Sequence, residues 1–272
     1  MITVAHSPDA DDFFLFWPLR TGMIDPEGFS FSFTELDTQR LNEAAIAGRF
    51  DICAISVAVY PKIADQYAIL TSGASVGRNY GPVVVSAHPM RKEALAGKRV
   101  GVPGRDTTAA LLFEKLFPDN ELIDTPLTPF DEVFRRLRDE EIEAAVLIHE
   151  GQIAFSERGL HQLEDLGRAW HAQTGLPIPL GVNVIRKSLG SQTVCKLSEL
   201  ATKSAQFAAA NRKEILPALF ELTQRRLKKL ESTEELEKYL DMYANSDSIS
   251  LPEDCRRAIS EMLGRDLQVQ YA

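Results

Sequence analysis

The sequence is short of cysteine, of basic residues and of long apolar runs, and each shortage excludes something. Its 3 cysteines, Cys53, Cys195 and Cys255, lie far apart with no CxxC or Cys/His ligand spacing. A disulfide framework is not expected, and a structural zinc site has no ligands. No window approaches the roughly 20 apolar residues that a membrane helix needs. Met1 to Ala5 run straight into His6-Ser7-Pro8-Asp9 with no basic segment and no apolar stretch of signal-peptide length. The expectation is a reduced, soluble, cytoplasmic protein. Lys and Arg number 30 against 39 Asp and Glu, a net charge of −9. That balance argues against nucleic-acid and anionic-membrane partners, which need a basic face, although local basic pockets survive it. No HExxH, Walker loop or GxGxxG fingerprint occurs. Zinc-protease and nucleotide-binding readings therefore lack their signatures.

What is present is an ordinary globular composition, 272 residues with 44% hydrophobic and 25% charged, enough for one large domain or two medium ones. Short apolar runs at 2–5, 29–33, 51–55, 82–87, 99–102, 144–148 and 181–185 read as strands. They alternate with helical patterns at 10–19, 37–47, 56–63, 107–117, 129–138 and 151–158, the signature of an α/β fold with parallel strands. From 196 to 232 the chain reads as long helices, with two shorter ones at 234–243 and 253–263. Helices bury one stripe each, so the C-terminal ones are expected to pack back on the first sheet. This predicts a discontinuous α/β lobe, 1–87 plus 184–272, an inserted α/β lobe, 88–183, and a central cleft.

In open parallel sheets ligands bind beyond the carboxyl ends of the strands. Four predicted strand ends carry polar residues: His6 to Asp12, Ser56, Pro103 to Thr108, and His149-Glu150-Gly151. Strand-to-helix turns suit a carboxylate or phosphate through free N–H groups and the helix dipole. The same residues are also preferred N-caps. Gly104 permits close backbone approach in the sharpest of these turns, where the Thr107 and Thr108 hydroxyls follow. His149, at a strand end, is the candidate general base; His6 either lines the cleft or ends a buried strand. Arg78, in Gly77-Arg78-Asn79-Tyr80-Gly81-Pro82, can pair with a ligand carboxylate or make a hinge salt bridge. The 176–181 segment, rich in proline, lines a pocket or braces the second crossover.

Taken together, His6-Ser7-Pro8-Asp9-Ala10-Asp11-Asp12, Val76-Gly77-Arg78 with Gly81-Pro82, Val102-Pro103-Gly104-Arg105-Asp106-Thr107-Thr108, Leu147-Ile148-His149-Glu150 and Thr174-Gly175-Leu176-Pro177-Ile178-Pro179-Leu180-Gly181 resemble the menaquinone-biosynthesis enzymes of the futalosine pathway. Within that family the resemblance is to the 1,4-dihydroxy-6-naphthoate synthases, and it runs more loosely through Tyr243-Ala244-Asn245. It implies a type II periplasmic-binding-protein-like fold with two α/β lobes. It also implies a cytoplasmic lyase with no metal or organic cofactor, opening cyclic dehypoxanthine futalosine. The family's base falls on His149 and its substrate contacts on Thr107, Thr108 and, in the 54–56 segment, Ser56. In the opening motif Asp12 carries over best. Two rivals stay open: the sibling chorismate-dehydrating activity, and a solute-binding protein that returns its ligand unchanged. Oligomeric state is not read from the sequence.

Overall fold

A computed structural model describes residues 1–125, 131–149, 151–226 and 232–272. Glu150, the first residues of the helix expected at 129–138 and the end of that expected from 196 to 232 lie outside the described residues. The chain divides into two units, one built from Met1–Val76 with Gly181–Ala272 and the other from Gly77–Leu180.

The first unit begins β1 (Ile2–His6), α1 (Ala10–Thr21), β2 (Phe31–Glu35), α2 (Thr38–Ile46), β3 (Ile52–Ser56), β4 (Tyr67–Ile69) and β5 (Ser75–Gly77). The second holds β6 (Val83–Ser86), β7 (Arg99–Val102), α3 (Thr108–Leu116), β8 (Glu121–Asp124), α4 (Glu132–Arg138), β9 (Ala144–Leu147), α5 (Gly151–Ala154), β10 (His161–Asp165) and α6 (Leu166–Thr174). Strand β11 (Ile178–Arg186) carries the chain back, and α7 (Ser191–Ala210), α8 (Arg212–Arg226), α9 (Thr233–Tyr243), α10 (Ser246–Ile249) and α11 (Glu253–Leu263) follow.

The first sheet runs β2-β1-β3-β11-β4, with β5 also pairing β11. Its β1 pairs are parallel, but β11 runs antiparallel to β3 and β4. The returning strand therefore makes the sheet mixed, where the sequence pattern suggested parallel strands throughout. Ile2, Val4, Ile52, Leu70 and Ile185 form one buried face, capped by Phe16 of α1 and by Leu197 and Ala201 of α7. Helix α7 thus packs on this sheet. In α1 the four residues Phe13, Leu15, Phe14 and Phe16 are all buried, the mark of a helix covered on more than one side.

The second sheet runs β10-β6-β9-β7-β8. Its core joins Val83, Val85, Ala145 and Leu147 with Phe134, Leu137 and Ile142. Strand β6 pairs with β9 and β10, so Val83–Ser86 belongs to the second unit. The first boundary consequently falls at 76/77 rather than 87, and the second at 180/181 rather than 183/184. The segment expected as a helix at 56–63 is a 3-10 turn, Val57–Lys62, with Pro61 inside it. No helix among the described residues is long and apolar enough to cross a membrane.

Candidate active site

In the first unit Ser56 ends β3 and is buried. Its N–H donates to Asn42 Oδ1 at 2.9 Å, and its Oγ accepts from Asn42 Nδ2 at 3.2 Å. Asn42 lies in α2 beside buried Leu41, Ala44 and Ala45. It lies outside every strand-end motif of the sequence. The signal was an amide placed inside an apolar helical stripe, which is tolerated only with partners. Asn183 is a second polar residue in an apolar run; its Nδ2 donates to Gly73 O, while its buried Oδ1 has no partner among the described residues.

The turn after β1 is held by its own side chains. Asp12 Oδ2 accepts from Ser7 N–H at 2.8 Å, and Asp9 N–H donates to Ser7 Oγ at 3.2 Å. Burial raises the Asp12 carboxyl above the usual aspartate range, although His6 and the Ser7 bonds pull the other way. His6 is fully buried in this turn, which answers the open question about its place. Asp11 Oδ1 accepts from Tyr239 OH at 3.3 Å, so it ties α1 to α9. Tyr243-Ala244-Asn245 also has a structural task. Asn245 and Ser248 form a capping box on α10, and Ser248 O accepts from Gly73 N–H.

In the second unit Thr107 caps α3, with Oγ1 accepting from Ala110 N–H at 3.2 Å and donating to Gly104 O at 2.7 Å. Thr108 Oγ1 donates to Leu180 O at 2.7 Å. Both hydroxyl protons are thus engaged by carbonyls, and the anion-binding capacity of this turn passes to the first-turn N–H groups of α3 and its dipole. His149 follows β9, is half-buried and holds φ at 53°. A non-glycine residue in the left-handed region is uncommon and disfavoured by about 1–3 kcal/mol, and such residues cluster at functional sites. The backbone around it is closed by Gly151 N–H to Ile148 O and Gln152 N–H to His149 O, both at 3.1 Å.

Arg78 is exposed, in a turn where Asn79 holds φ at 64°. That turn lies against α6 so closely that a Cβ on Gly167 would stand 2.2 Å from the Tyr80 carbonyl. The proline-rich 176–181 segment is bound to α6 as well, through Trp170 Nε1 to Pro177 O at 2.9 Å. Among the other histidines, His88 is exposed beside Glu140, and His161 and His171 are exposed. Among the described residues no group of three or more His, Cys, Asp or Glu is placed to hold a metal ion. Each unit therefore presents a set of polar strand ends: Ser56 and Asp12 in the first, and Thr107, Thr108, His149 and Arg78 in the second.

Comparison with known proteins places these features in a family. The chain is 31% identical over 261 residues to a 1,4-dihydroxy-6-naphthoate synthase of Thermus thermophilus, covering 96% of this chain and 92% of that protein. A protein of the same name from Streptomyces coelicolor is 31% identical over 273 residues, covering 97% and 92%. A crystal structure of a protein from Archaeoglobus fulgidus matches with a TM-score of 0.86 at 36% identity, over 96% of this chain and 94% of that one. The periplasmic aliphatic sulphonate binding protein of Escherichia coli, 13% identical with a TM-score of 0.64 over 89% and 83%, shares the fold, so the two α/β units are of the periplasmic-binding-protein type. Residues 2–266 match the profile of a family described as menaquinone biosynthesis, and the chain belongs to that family.

Proposed function

We propose that this chain is a carbon–carbon lyase that opens cyclic dehypoxanthine futalosine and releases 1,4-dihydroxy-6-naphthoate, acting in the cytoplasm. The observation that carries the reading is His149. A half-buried imidazole follows a central strand in a left-handed conformation, in a chain similar over nearly its whole length to two naphthoate synthases.

In this reading His149 takes a proton from the substrate, the adjacent carbon–carbon bond breaks, and the ring system becomes aromatic. Aromatisation drives the reaction, so the protein's tasks are to place the base and exclude water. A positioned base supplies about 10²–10⁴-fold, and orientation in a shielded site supplies the rest. The first-turn N–H groups of α3, kept in place by the Thr107 cap, and the Arg78 guanidinium receive the substrate carboxylate. Thr108 Oγ1 accepts a hydrogen bond from a substrate hydroxyl while its own hydroxyl donates to Leu180 O. Ser56, whose Oγ accepts from Asn42, keeps its hydroxyl proton to donate to a substrate oxygen. Asp12 contributes from the first turn of α1.

The test is incubation of the purified protein with cyclic dehypoxanthine futalosine and identification of the product by mass spectrometry, beside His149→Asn. Asparagine tolerates the left-handed conformation but is no base. The wild type should form 1,4-dihydroxy-6-naphthoate, and the variant should fold normally with kcat lower by about 10²-fold or more. Substrate returned unaltered by the wild type marks a binding protein and ends the proposal. Near-native kcat in the variant removes His149 from the mechanism.

A further inference from the structure

His6 is absent from the mechanism above, yet its surroundings define its proton inventory. The ring is wholly buried and walled by Phe13, Phe16 and Phe33, with centroids 5.0, 5.6 and 6.1 Å away. Its Nδ1 lies 2.6 Å from Ser7 O, and its Nε2 lies 2.7 Å from Arg20 Nη1. A carbonyl only accepts and a guanidinium only donates. Nδ1 must therefore carry the hydrogen and Nε2 the lone pair, which leaves one tautomer of the neutral ring.

Arg20 is itself held in place. Its Nη2 meets Glu35 Oε1 at 3.1 Å, and its guanidinium lies over the rings of Phe13 and Phe33 at 4.7 and 4.8 Å. Beyond the imidazole, Ser7 is grasped at both its backbone polar groups: its carbonyl by His6 and its N–H by Asp12. The chain Glu35–Arg20–His6–Ser7–Asp12 links the end of β2, α1 and the turn after β1 in a single run of hydrogen bonds. Burial lowers the imidazole's proton affinity, while Asp12 opposes that effect, in keeping with a neutral ring.

We propose that His6 is a positioning residue: held by Arg20 as its neutral Nδ1–H tautomer, it fixes the turn after β1 so that Asp12 meets substrate in one geometry. This rests on the reading that Asp12 contacts the substrate. The role differs from simple core filling. A leucine would occupy much of the same space but leave both the Ser7 carbonyl and the Arg20 guanidinium without their partner. A glutamine can donate to one and accept from the other.

Two measurements on the full chain decide it. In ¹⁵N-labelled wild type at pH 7.5, the imidazole nitrogen shifts should report Nδ1 protonated and Nε2 bare; an Nε2–H tautomer or an imidazolium overturns the proposal. Steady-state kinetics with cyclic dehypoxanthine futalosine should show His6→Leu raising KM about tenfold, the effect of roughly one lost hydrogen bond. Its kcat should stay within about threefold, and His6→Gln should restore KM. A merely structural loss lowers the active fraction, and so kcat, without moving KM. Unchanged KM in His6→Leu, or no rescue by His6→Gln, overturns the positioning role while leaving the activity standing. No turnover by wild type brings down the activity and the positioning role together. If neither variant folds, the nitrogen shifts decide alone.

Discussion

Gly73 and Asn183 approach so closely that a Cβ built on Gly73 would lie 2.0 Å from Asn183 Nδ2. The contact is also a hydrogen bond, Asn183 Nδ2 to Gly73 O at 3.3 Å, and Gly73 holds φ at 79°. Gly73→Ala therefore meets both backbone strain and collision with a buried amide, and should destabilise the protein by about 2–3 kcal/mol. Gly28 is the control, since its φ is 82° but nothing lies within 4 Å of an added Cβ. Gly28→Ala should lose only about 1 kcal/mol. Urea denaturation of the two variants reads the difference, and equal losses would mean that the Asn183 contact adjusts without effort.

Asn42 holds both the N–H and the Oγ of Ser56. Asn42→Ala strands a buried N–H and should reduce stability by about 1–3 kcal/mol. It should also raise KM, because Ser56 loses its orientation. A variant as stable as wild type with unchanged KM would show that the serine needs no such support.

Thr107 uses its hydroxyl as a cap, so its replacement is a stability experiment more than a binding one. Thr107→Val should reduce stability by about 1 kcal/mol, and Thr107→Ser should recover most of it. KM should change little in Thr107→Ser. A large rise in KM in Thr107→Ser, with stability intact, would place the threonine methyl against the substrate.

The buried His6–Asp12 pair gives stability a defined dependence on pH. An ordinary histidine titrates near 6.5 and His6 lies below that. Between those two points the unfolded chain binds more protons, so stability is complete above pH 6.5 and falls as the pH drops through the window. Asp12 behaves oppositely. Its carboxyl is raised above 3.8, so the folded chain binds more protons between 3.8 and its own midpoint, and stability there falls as the pH rises. Urea midpoints should drop from pH 7.5 to pH 5.5 in wild type and drop less in His6→Gln. Equal drops would assign the acid sensitivity elsewhere.

The edge strands show why part of the fold was not legible. β8 reads Glu-Leu-Ile-Asp and β10 reads His-Gln-Leu-Glu-Asp. They lie at the two edges of the second sheet, where half-exposed, charged strands are favoured and carry no apolar run. β4, three residues at the edge of the first sheet, is too short for a period. The central strands β1, β3, β7 and β9 stand within a residue of the apolar runs that announced them, because burial on both faces demands such runs.

By itself the sequence determined the strand-to-helix turns and the residues within them. Caps, glycine turns and apolar periods are properties of a few neighbouring residues and survive without the rest of the chain. The family motifs, His149 among them, were legible for the same reason. Only the tertiary structure decided where those polar groups are engaged: Thr107 on its own helix, Thr108 on Leu180, Ser56 on Asn42, and His6 between Ser7 and Arg20. It also decided that Val83–Ser86 pairs within the second unit. Hydrogen-bond partners lie up to 72 residues apart in these pairs, and sheet neighbours farther still, with Val83 opposite Asp165. A donor's choice among distant acceptors follows from packing, which no local pattern encodes.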